Sequence, residues 1–374
     1  MNIQILSEAR VICSNRNSLH NYFAWPSVSR LWDGRLAMVA SGFRLQHICP
    51  FGKGIICYSD DEGKNWTHPA VIIDTPLDDR DCGIAVLGNR VMVTSFNNTI
   101  AQQRNWNHEN ENGGIDDRIT IDMSAKKNYI DAYLNMINAE QSESQFLGST
   151  YVISEDGGNH FGPVRFSPVS SPHGPAVTPA RELIYIGFNQ DMEQKPDGSP
   201  YISCYKIDSS MNFHLLGSIP NVPSDNDEFL LCCEPHAIVL PDGKILVHIR
   251  VQNSMTFTIY QSESTDGGKT FTAPKQLLSQ KGGAPAHLLR HSSGMLVSVY
   301  GYREESCGIR AMLSPDNGET WETDHVLFQN ESGPDIGYPA SVELEDGSIL
   351  TVFYAHELKD SPAEIWQVIW KILT

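Results

Sequence analysis

One eight-residue pattern occurs four times in this chain and limits its possible folds more than any other feature. It has the form Ser-x-Asp-x-Gly-x-x-aromatic, and the copies span residues 59–66, 154–161, 264–271 and 314–321. Aspartate and serine side chains can bond the backbone of a tight turn, glycine accepts left-handed dihedrals, and an aromatic ring can pack between neighbouring sheets. We therefore expect four structural hairpins whose aspartates are not catalytic.

A second repeat consists of two short apolar strands around a turn that usually contains glycine. These turns lie near residues 34, 88, 181, 243, 294 and 347, mostly about 50 residues apart. Repeats of this length predict an all-β fold, a six-bladed β-propeller with four strands per blade. We expect residues 1–374 to form one domain, because a single blade is too small to fold alone.

Two parts of the repeat are irregular. The third blade lacks a good copy of the eight-residue pattern, and residues 208–210 (Asp-Ser-Ser) look like its remnant. The sixth blade has its third strand near residues 365–370, so the N-terminal run 4–13 is needed as its outer strand. That strand closes the ring and removes an exposed sheet edge.

An insertion at about residues 97–148 makes the second blade longer than the others. Its first part, residues 97–117, is polar and rich in asparagine, which predicts a loop. The second part predicts a helix, because apolar residues recur there at helical spacing: Tyr129, Ile130, Tyr133, Leu134 and Ile137. The insertion can either pack on the blade rim or line a substrate site, and the sequence favours neither.

Composition excludes several classes of partner. The chain has 27 basic and 45 acidic residues, a net charge of −18, which argues against nucleic acids and anionic membranes but not against a small anionic ligand. No apolar run is long enough for a transmembrane helix. The N-terminus does not resemble a signal peptide, so we expect a cytoplasmic protein or an exported one whose leader has been removed. The eight cysteines form no C-x-x-C motif, and we expect free thiols, no metal and no cofactor.

The inner strands of a propeller begin around its axis, where side chains from all blades converge. Aligning the six repeats gives one position per blade, often just before a proline; we call these the axial positions: Trp25, Asp81, Gly174, Glu234, Pro285 and Tyr338. Glu234 and Tyr338 come from blades four and six and are expected to face each other. A tyrosine is a poor nucleophile alone, but an adjacent carboxylate can take its proton.

The residues around these two positions resemble sialidases (neuraminidases). Residues 337–347 (Gly-Tyr-Pro-Ala-Ser-Val-Glu-Leu-Glu-Asp-Gly) are similar to the strand that carries the nucleophile in that family, and residues 233–243 to the strand that carries its glutamate. The eight-residue pattern resembles the family's Asp-box, or BNR repeat, so the resemblance covers nearly the whole chain. It implies that Tyr338 is the nucleophile and Glu234 its activator.

The resemblance also implies a set of arginines that bind the carboxylate of an acidic sugar. Arg250 matches the second arginine of the family, and the third is either Arg303 or Arg310. The first arginine of the family is replaced here by Ala24. Within the run Asp-Asp-Arg-Asp at residues 78–81, Arg80 is a candidate replacement for it.

The acid/base aspartate of the family is also absent, because residues 42–53 contain no acidic side chain. They offer His47 instead, with Arg44 as a nearby substrate contact. Histidine titrates near neutrality and can act as a general acid or base. Asp81 is the other candidate for this role.

Four histidines are expected near the same level of the axis, His47, His173, His236 and His287. His173 and His236 are therefore candidate substrate contacts. Their spacings match no metal-binding motif.

Three functions remain open at this stage. The leading hypothesis is an exo-acting glycosidase of the sialidase type that removes a terminal acidic sugar from a glycan, with two guanidinium groups binding the sugar carboxylate. The loss of the first arginine and of the aspartate favours a uronate-directed lyase or a glycosidase that uses His47, as in sialidase-fold relatives that act on rhamnose–glucuronate linkages. The third possibility is a non-catalytic glycan-binding propeller.

Overall fold

In the computed structural model the chain forms six antiparallel sheets around one axis. The structure describes residues 1–109, 123–189, 199–224, 229–279, 281–359 and 361–373. The innermost strand of each sheet contacts the innermost strand of the next, and that of the sixth sheet contacts that of the first. The prediction of a six-bladed β-propeller with a helical insertion in blade two is confirmed.

The first half of the chain contains two N-terminal strands and blades one to three. The N-terminal strands are β1 (Asn2–Ile5) and β2 (Arg10–Cys13). Blade one contains β3 (Tyr22–Arg30), β4 (Leu36–Arg44), β5 (Lys53–Ser59) and β6 (Ala70–Ile73). Blade two contains β7 (Arg80–Leu87), β8 (Arg90–Phe96), β9 (Ser149–Ser154) and β10 (Arg165–Ser167). Blade three contains β11 (Val169–Ser170), β12 (Ala176–Val177), β13 (Leu183–Asn189), β14 (Ile202–Ile207) and β15 (Phe213–Ile219).

The second half contains blades four to six. Blade four contains β16 (Val222–Pro223), β17 (Phe229–Val239), β18 (Ile245–Gln252), β19 (Phe257–Ser264) and β20 (Lys275–Gln276). Blade five contains β21 (Ala286–Arg290), β22 (Leu296–Tyr302), β23 (Gly308–Ser314) and β24 (Glu322–Gln329). Blade six contains β25 (Gly337–Glu343), β26 (Ile349–His356) and β27 (Ala363–Leu373).

The N-terminal strands complete blade six. Strand β1 pairs with β27 in antiparallel register from Asn2 opposite Leu373 to Ile5 opposite Trp370, and β2 pairs with an earlier part of the same strand. The first and last segments of the chain therefore share one sheet, as the sequence predicted. This pairing covers the edge that β27 would otherwise expose.

The four Asp-boxes have the same hydrogen bonds. In the first copy, Ser59 Oγ donates to Asp61 Oδ1 and accepts from the amide of Gly63, each at 2.9 Å, and Asp61 Oδ1 accepts from the amide of Asn65 at 2.8 Å. The other three copies repeat these contacts. In blade three, Asp208 accepts two backbone amides in a similar turn. These aspartates stabilise turns.

Three helices connect β8 to β9: α1 (Ile100–Glu109), α2 (Met123–Met136) and α3 (Ala139–Phe146). The helix predicted around residues 129–137 corresponds to α2, but the prediction of a loop over residues 97–117 is wrong where α1 lies. Thr99 and Gln102 bond each other's backbone amides at 3.0 and 2.8 Å, which is the capping box of a helix N-terminus. That Thr-x-x-Gln signal outweighs the asparagine content of the segment.

The helices pack on the loops of blades one and two. Ile100, Ile130 and Leu134 are buried against Leu45 and Leu77. The insertion is thus held by an apolar contact on the blade rim. No helix within the described residues is long and apolar enough to span a membrane.

We predict that the propeller unfolds in one cooperative transition, because its apolar clusters cross blade boundaries, for instance between blades one and six and between blades three and four. Scanning calorimetry should give equal calorimetric and van 't Hoff enthalpies. A variant lacking residues 2–13 exposes the edge of β27 and should melt at a lower temperature. Two resolved transitions in the full chain would contradict the single-domain prediction.

Candidate active site

The axial positions have an unusual backbone. Four of them carry non-glycine residues in the left-handed region, with φ of 48–55°: Trp25, Asp81, Glu234 and Tyr338. Each lies where the pairing of the innermost strand with its neighbour shifts register. Such bulges re-aim side chains, and left-handed non-glycine residues concentrate at functional sites. The same irregularity in four blades marks the axis as the site.

Tyr338 and Glu234 meet across the axis. The Tyr338 hydroxyl donates to Glu234 Oε1 at 2.6 Å, and Arg250 Nη1 donates to Glu234 Oε2 at 2.7 Å and to the Tyr338 oxygen at 3.3 Å. Burial raises the pKa of Tyr338 well above its usual value, and the charges of Glu234 and Asp81 raise it further. The phenol therefore keeps its proton at neutral pH unless Glu234 takes it.

Two arginines lie beside this pair and share one aromatic ring. The guanidinium carbons of Arg250 and Arg303 are 4.7 and 5.4 Å from the ring centroid of Phe257, and that of Arg303 is 5.9 Å from the ring of Tyr338. Among the described residues, nothing hydrogen-bonds to Nη2 of Arg250 or to Nη1 of Arg303. Two cationic groups with available N–H donors form a site suited to a carboxylate.

Arg310, the alternative third arginine, lies elsewhere. It belongs to β23, the third strand of blade five; its Nη1 pairs with Asp324 Oδ1 at 2.9 Å, and its guanidinium carbon lies 3.5 Å from the ring centroid of Tyr302. The structure thus corrects the inclusion of Arg310 among the candidates. Of the two arginines, Arg303 is the one that contacts the ring of Tyr338.

Asp81 lies within electrostatic range of Glu234 and is 2% exposed. Burial raises its pKa to about 6; Glu234 adds to this shift and Arg80 opposes it. Arg80 Nε lies 3.4 Å from Asp81 Oδ1, and its guanidinium carbon is 4.2 Å from the ring centroid of Trp25. Asp81 can thus be protonated under mildly acidic conditions, which a general acid requires.

Arg44 does not line the site, contrary to the prediction. Its side chain is wholly buried and forms an ion pair with Asp78. It also donates to Ser41 Oγ and to the carbonyl oxygen of His47, each at 2.8 Å. Its donors are used inside the protein, where they fix the loop that carries His47.

His47 is partly exposed and held between aromatic rings. Its ring stacks on Trp106 of α1, with centroids 5.5 Å apart, and meets the ring of Trp25 edge-on at 4.9 Å. Burial lowers the pKa of His47, and the nearby positive charges of Arg80 and Arg44 lower it further against the opposing effect of a carboxylate. At neutral pH the imidazole is therefore uncharged and better suited to accept a proton than to donate one.

That carboxylate belongs to Asp335, which the sequence analysis missed. Asp335 accepts hydrogen bonds from the hydroxyls of Tyr22 and Tyr354, each at 2.9 Å, and from His356 Nε2 at 2.8 Å. Its Oδ1 lies 3.6 Å from His47 Nδ1. Burial opposes its ionisation, but the hydrogen bond from His356 and the proximity of His47 outweigh burial and hold the pKa of Asp335 well below its usual value. The only sequence signal was its place three residues before Tyr338.

The other histidines form a separate cluster. His173, His236 and His287 have ring centroids 4.4–5.3 Å apart and line a smaller cavity of about 230 Å³. His47 is not part of it, so the prediction that four histidines converge is wrong. Burial lowers the pKa of all three well below the usual value. In the described part of the chain, no three His, Cys, Asp or Glu side chains are placed to hold a metal ion.

Two of these histidines connect different blades. His173 Nδ1 lies 3.0 Å from Ser27 Oγ, and His236 Nδ1 accepts from the amide of Leu288 at 2.8 Å. The structure thus places His173 and His236 in the inner-strand packing and not beside Tyr338, which corrects their inclusion as substrate contacts.

A larger cavity of about 520 Å³ adjoins the axial positions of blades two and four. Asp81 and Glu234 line it, together with aromatic rings and with residues at both ends of the insertion. The other lining residues are Phe96, Asn97, Asn98, Thr99, Gln102, Leu147, Gly148, Ser170, Ser171, Pro172, Phe188, Leu231 and Cys233. The insertion therefore both packs on the rim and forms part of a cavity wall.

Comparison with solved structures identifies similar folds. A Dyadobacter fermentans protein of unknown function matches with 19% identity and a TM-score of 0.73, over 99% of each chain. The NanB sialidase of Streptococcus pneumoniae matches with 14% identity and a TM-score of 0.65, over 98% of this chain and 71% of that one. Trypanosoma rangeli sialidase, solved with the inhibitor DANA, matches with 14% identity and a TM-score of 0.61, over 93% and 55%.

Because the identities are low, these structural likenesses establish only the fold, which is of the sialidase type. A search of curated proteins found no match. The family model described as a BNR repeat-like domain matches residues 54–351, which is most of the chain. The chain therefore belongs to the BNR repeat-like domain family.

Proposed function

We propose that this protein is an exo-acting glycosidase of the sialidase type, which removes a terminal acidic sugar from a glycan. The observation that carries the proposal is the contact of the Tyr338–Glu234 pair with two arginines that share the ring of Phe257. A tyrosine bonded to a carboxylate provides a nucleophile, and the adjacent cations provide a binding site for the sugar carboxylate.

The geometry suggests a role for each group. Arg250 Nη2 and Arg303 Nη1 bind the carboxylate of the substrate. The Tyr338 oxygen attacks the anomeric carbon while its proton passes to Glu234. The glycosidic bond breaks, and its oxygen takes the proton of Asp81.

Water then cleaves the glycosyl–tyrosine bond. Its proton goes to the Asp81 carboxylate, and Tyr338 recovers its proton from Glu234. Two displacements at one carbon retain the configuration of the sugar. Arg250 Nη1, 3.3 Å from the Tyr338 oxygen, stabilises the negative charge that develops there whenever the phenol is deprotonated.

The larger cavity suggests what else the substrate contains. Phenyl rings, amides and hydroxyls line it beside Asp81 and Glu234, and none of the lining side chains that the structure describes is cationic. A neutral, hydroxyl-rich part of the glycan suits this lining better than a second anionic group.

His47 supports a second candidate, a uronate-directed lyase. An uncharged imidazole backed by Asp335 can take the C5 proton of a uronate as the bond from C4 to its oxygen breaks. Asp81 is then the available acid for the leaving oxygen.

A screen of aryl sialosides, aryl glucuronides and acidic oligosaccharides, followed by mass spectrometry, separates the candidates: hydrolysis adds water to the products, and a lyase leaves an unsaturated uronate. Binding without any product indicates a glycan-binding propeller instead.

We predict that Tyr338→Phe and Glu234→Gln each lower kcat/KM by roughly 10²–10⁴-fold, because the first removes the nucleophile and the second removes the group that accepts its proton. The measurement is initial-rate kinetics on the substrate found in the screen. Tyr302→Phe, beside Arg310 in blade five, is the matched control and should retain full activity. Unchanged turnover in both test variants would rule out the proposed chemistry.

We predict that kcat/KM falls as the pH rises through about 6, because burial raises the pKa of Asp81 to about 6 and the acid must be protonated. Asp81→Asn should lower the rate and abolish this limb of the profile, whereas Asp324→Asn should preserve it. If the limb persists in Asp81→Asn, another group is the acid.

We predict that Arg303→Lys raises KM by roughly 10–100-fold, because lysine keeps the charge but lacks the planar guanidinium that bonds Tyr354 through Nη2 and presents Nη1 to the carboxylate. Arg310→Lys is the control, since Arg310 already pairs with Asp324, and its KM should stay at the wild-type value. Equal effects of the two substitutions would contradict the placement of the carboxylate.

A further inference from the structure

Asp335 connects two groups with separate roles. On one side, the Tyr354 hydroxyl donates to Asp335 Oδ1 at 2.9 Å, and Arg303 Nη2 lies 3.4 Å from the Tyr354 oxygen. On the other side, the Tyr22 hydroxyl donates to Asp335 Oδ2 at 2.9 Å, and His47 Nδ1 lies 2.9 Å from the Tyr22 oxygen. One carboxylate thus holds a tyrosine next to an arginine and another next to a histidine.

The hydrogens in this arrangement fix the tautomer of His47. A carboxylate only accepts, so the single hydroxyl proton of Tyr22 points to Asp335. The Tyr22 oxygen is then the acceptor for His47, and Nδ1 of His47 carries a hydrogen. In the neutral imidazole the lone pair is therefore on Nε2, on a side chain that is 23% exposed.

His356 fixes Asp335 from a third direction. Its Nδ1 lies 2.5 Å from the carbonyl oxygen of Ser361, and its Nε2 lies 2.8 Å from Asp335 Oδ2. Both neighbours are acceptors, so His356 donates from both nitrogens when it is protonated. With two hydroxyls and one imidazole around it, the Asp335 carboxylate has one orientation.

We propose that Asp335 is the positioning residue shared by carboxylate recognition and proton transfer: through Tyr354 it orients Arg303, and through Tyr22 it sets the tautomer and orientation of His47. The role of Arg303 toward substrate rests on the proposed glycosidase and that of His47 on the lyase candidate, but the shared positioning rests on neither. The charged and titratable groups that face this network are Arg44 and Arg80 beside His47, and Arg303 and the His356 imidazole beside Asp335.

The arrangement has a chemical consequence. A proton taken by His47 Nε2 creates an imidazolium whose charge is opposite to that of Asp335, so the carboxylate stabilises it without accepting the proton itself. On the other side of Asp335, the fixed Tyr354 oxygen accepts a hydrogen bond from Nη2 of Arg303, and Nη1 of Arg303 remains for a ligand. Removing the charge of Asp335 should therefore disturb both the Tyr354–Arg303 contact and the Tyr22–His47 contact.

Three substitutions test the two sides of Asp335 separately and together. Tyr22→Phe and Tyr354→Phe each remove one hydroxyl, and Asp335→Asn removes the charge of the carboxylate. The readouts are the imidazole ¹⁵N signals of His47 and the side-chain Nε–H signal of Arg303 in the ligand-free protein, assigned with His47→Gln and Arg303→Lys. We expect Tyr22→Phe to shift only the His47 signals and Tyr354→Phe only the Arg303 signal. Asp335→Asn should shift both and convert His47 toward a mixture of tautomers.

Asp324→Asn is the matched control, because Asp324 is a carboxylate of blade five that pairs with Arg310, away from this network. It should leave both sets of signals unchanged. Unchanged His47 and Arg303 signals in Asp335→Asn, or loss of both signals in either single tyrosine variant, would overturn the proposal. If Asp335→Asn does not fold, as judged by thermal melting, the two tyrosine variants still decide, because each removes only one hydroxyl.

Kinetics distinguish failure of this proposal from failure of the proposed function. On a substrate found in the screen, Tyr354→Phe should raise KM roughly 3–10-fold, the effect of losing one hydrogen bond, with little change in kcat. If the spectra follow the expected pattern but no acidic glycan is turned over, the positioning role stands and the glycosidase proposal fails. If turnover is found but the spectra do not separate, the glycosidase proposal stands and the shared role of Asp335 fails.

Discussion

The pairing of β1 and β2 with β27 closes the ring, and the whole site depends on that closure. Glu234 comes from blade four and Tyr338 from blade six, yet their side-chain oxygens are 2.6 Å apart. A contact of this length between blades needs a fixed angle between them. Because the first and last segments of the chain form one sheet, the axial residues cannot move apart without breaking strand pairs.

Charge near the axis is balanced locally, although the whole protein carries a net charge of −18. Glu234 bonds to Arg250, Asp81 lies beside Arg80, and Asp335 is held by histidine. In a buried site an unpaired carboxylate is costly, so each acid has a cationic or hydrogen-bond-donating neighbour. The ligand therefore meets paired groups and a few available guanidinium donors, and the net charge of the protein does not indicate the sign of the ligand.

The sequence predicted the ring and most axial residues because both follow from a repeat. Four axial positions lie nine residues before their turn and the other two lie seven residues before it, so Tyr338 and Glu234 could be aligned without coordinates. The helix α1 was missed because asparagine content was weighed above a single capping signal at Thr99 and Gln102. That error concerned a local choice within an insertion, for which no repeat offers a second copy to compare.

The rest of the site could not be derived from spacing. Arg303 directly follows β22 and Arg310 lies on β23 of the same hairpin, and only the fold shows which side chain reaches Tyr338. Arg44 is the last residue of β4, near His47, but its donors turn inward to Asp78. Asp335 lies in a loop, where no period applies, and its importance comes from partners in blades one and six that are distant in sequence.

The axial bulge has a broader consequence. Six unlike residues, from glycine to tryptophan, occupy equivalent positions, and the backbone of four of them is nearly identical, with φ of 48–55°. The local conformation is therefore set by the ring and tolerates many side chains. Reactivity at the axis can be exchanged one blade at a time while the scaffold stays the same, so chains that share this architecture can diverge in chemistry without first having to diverge in fold.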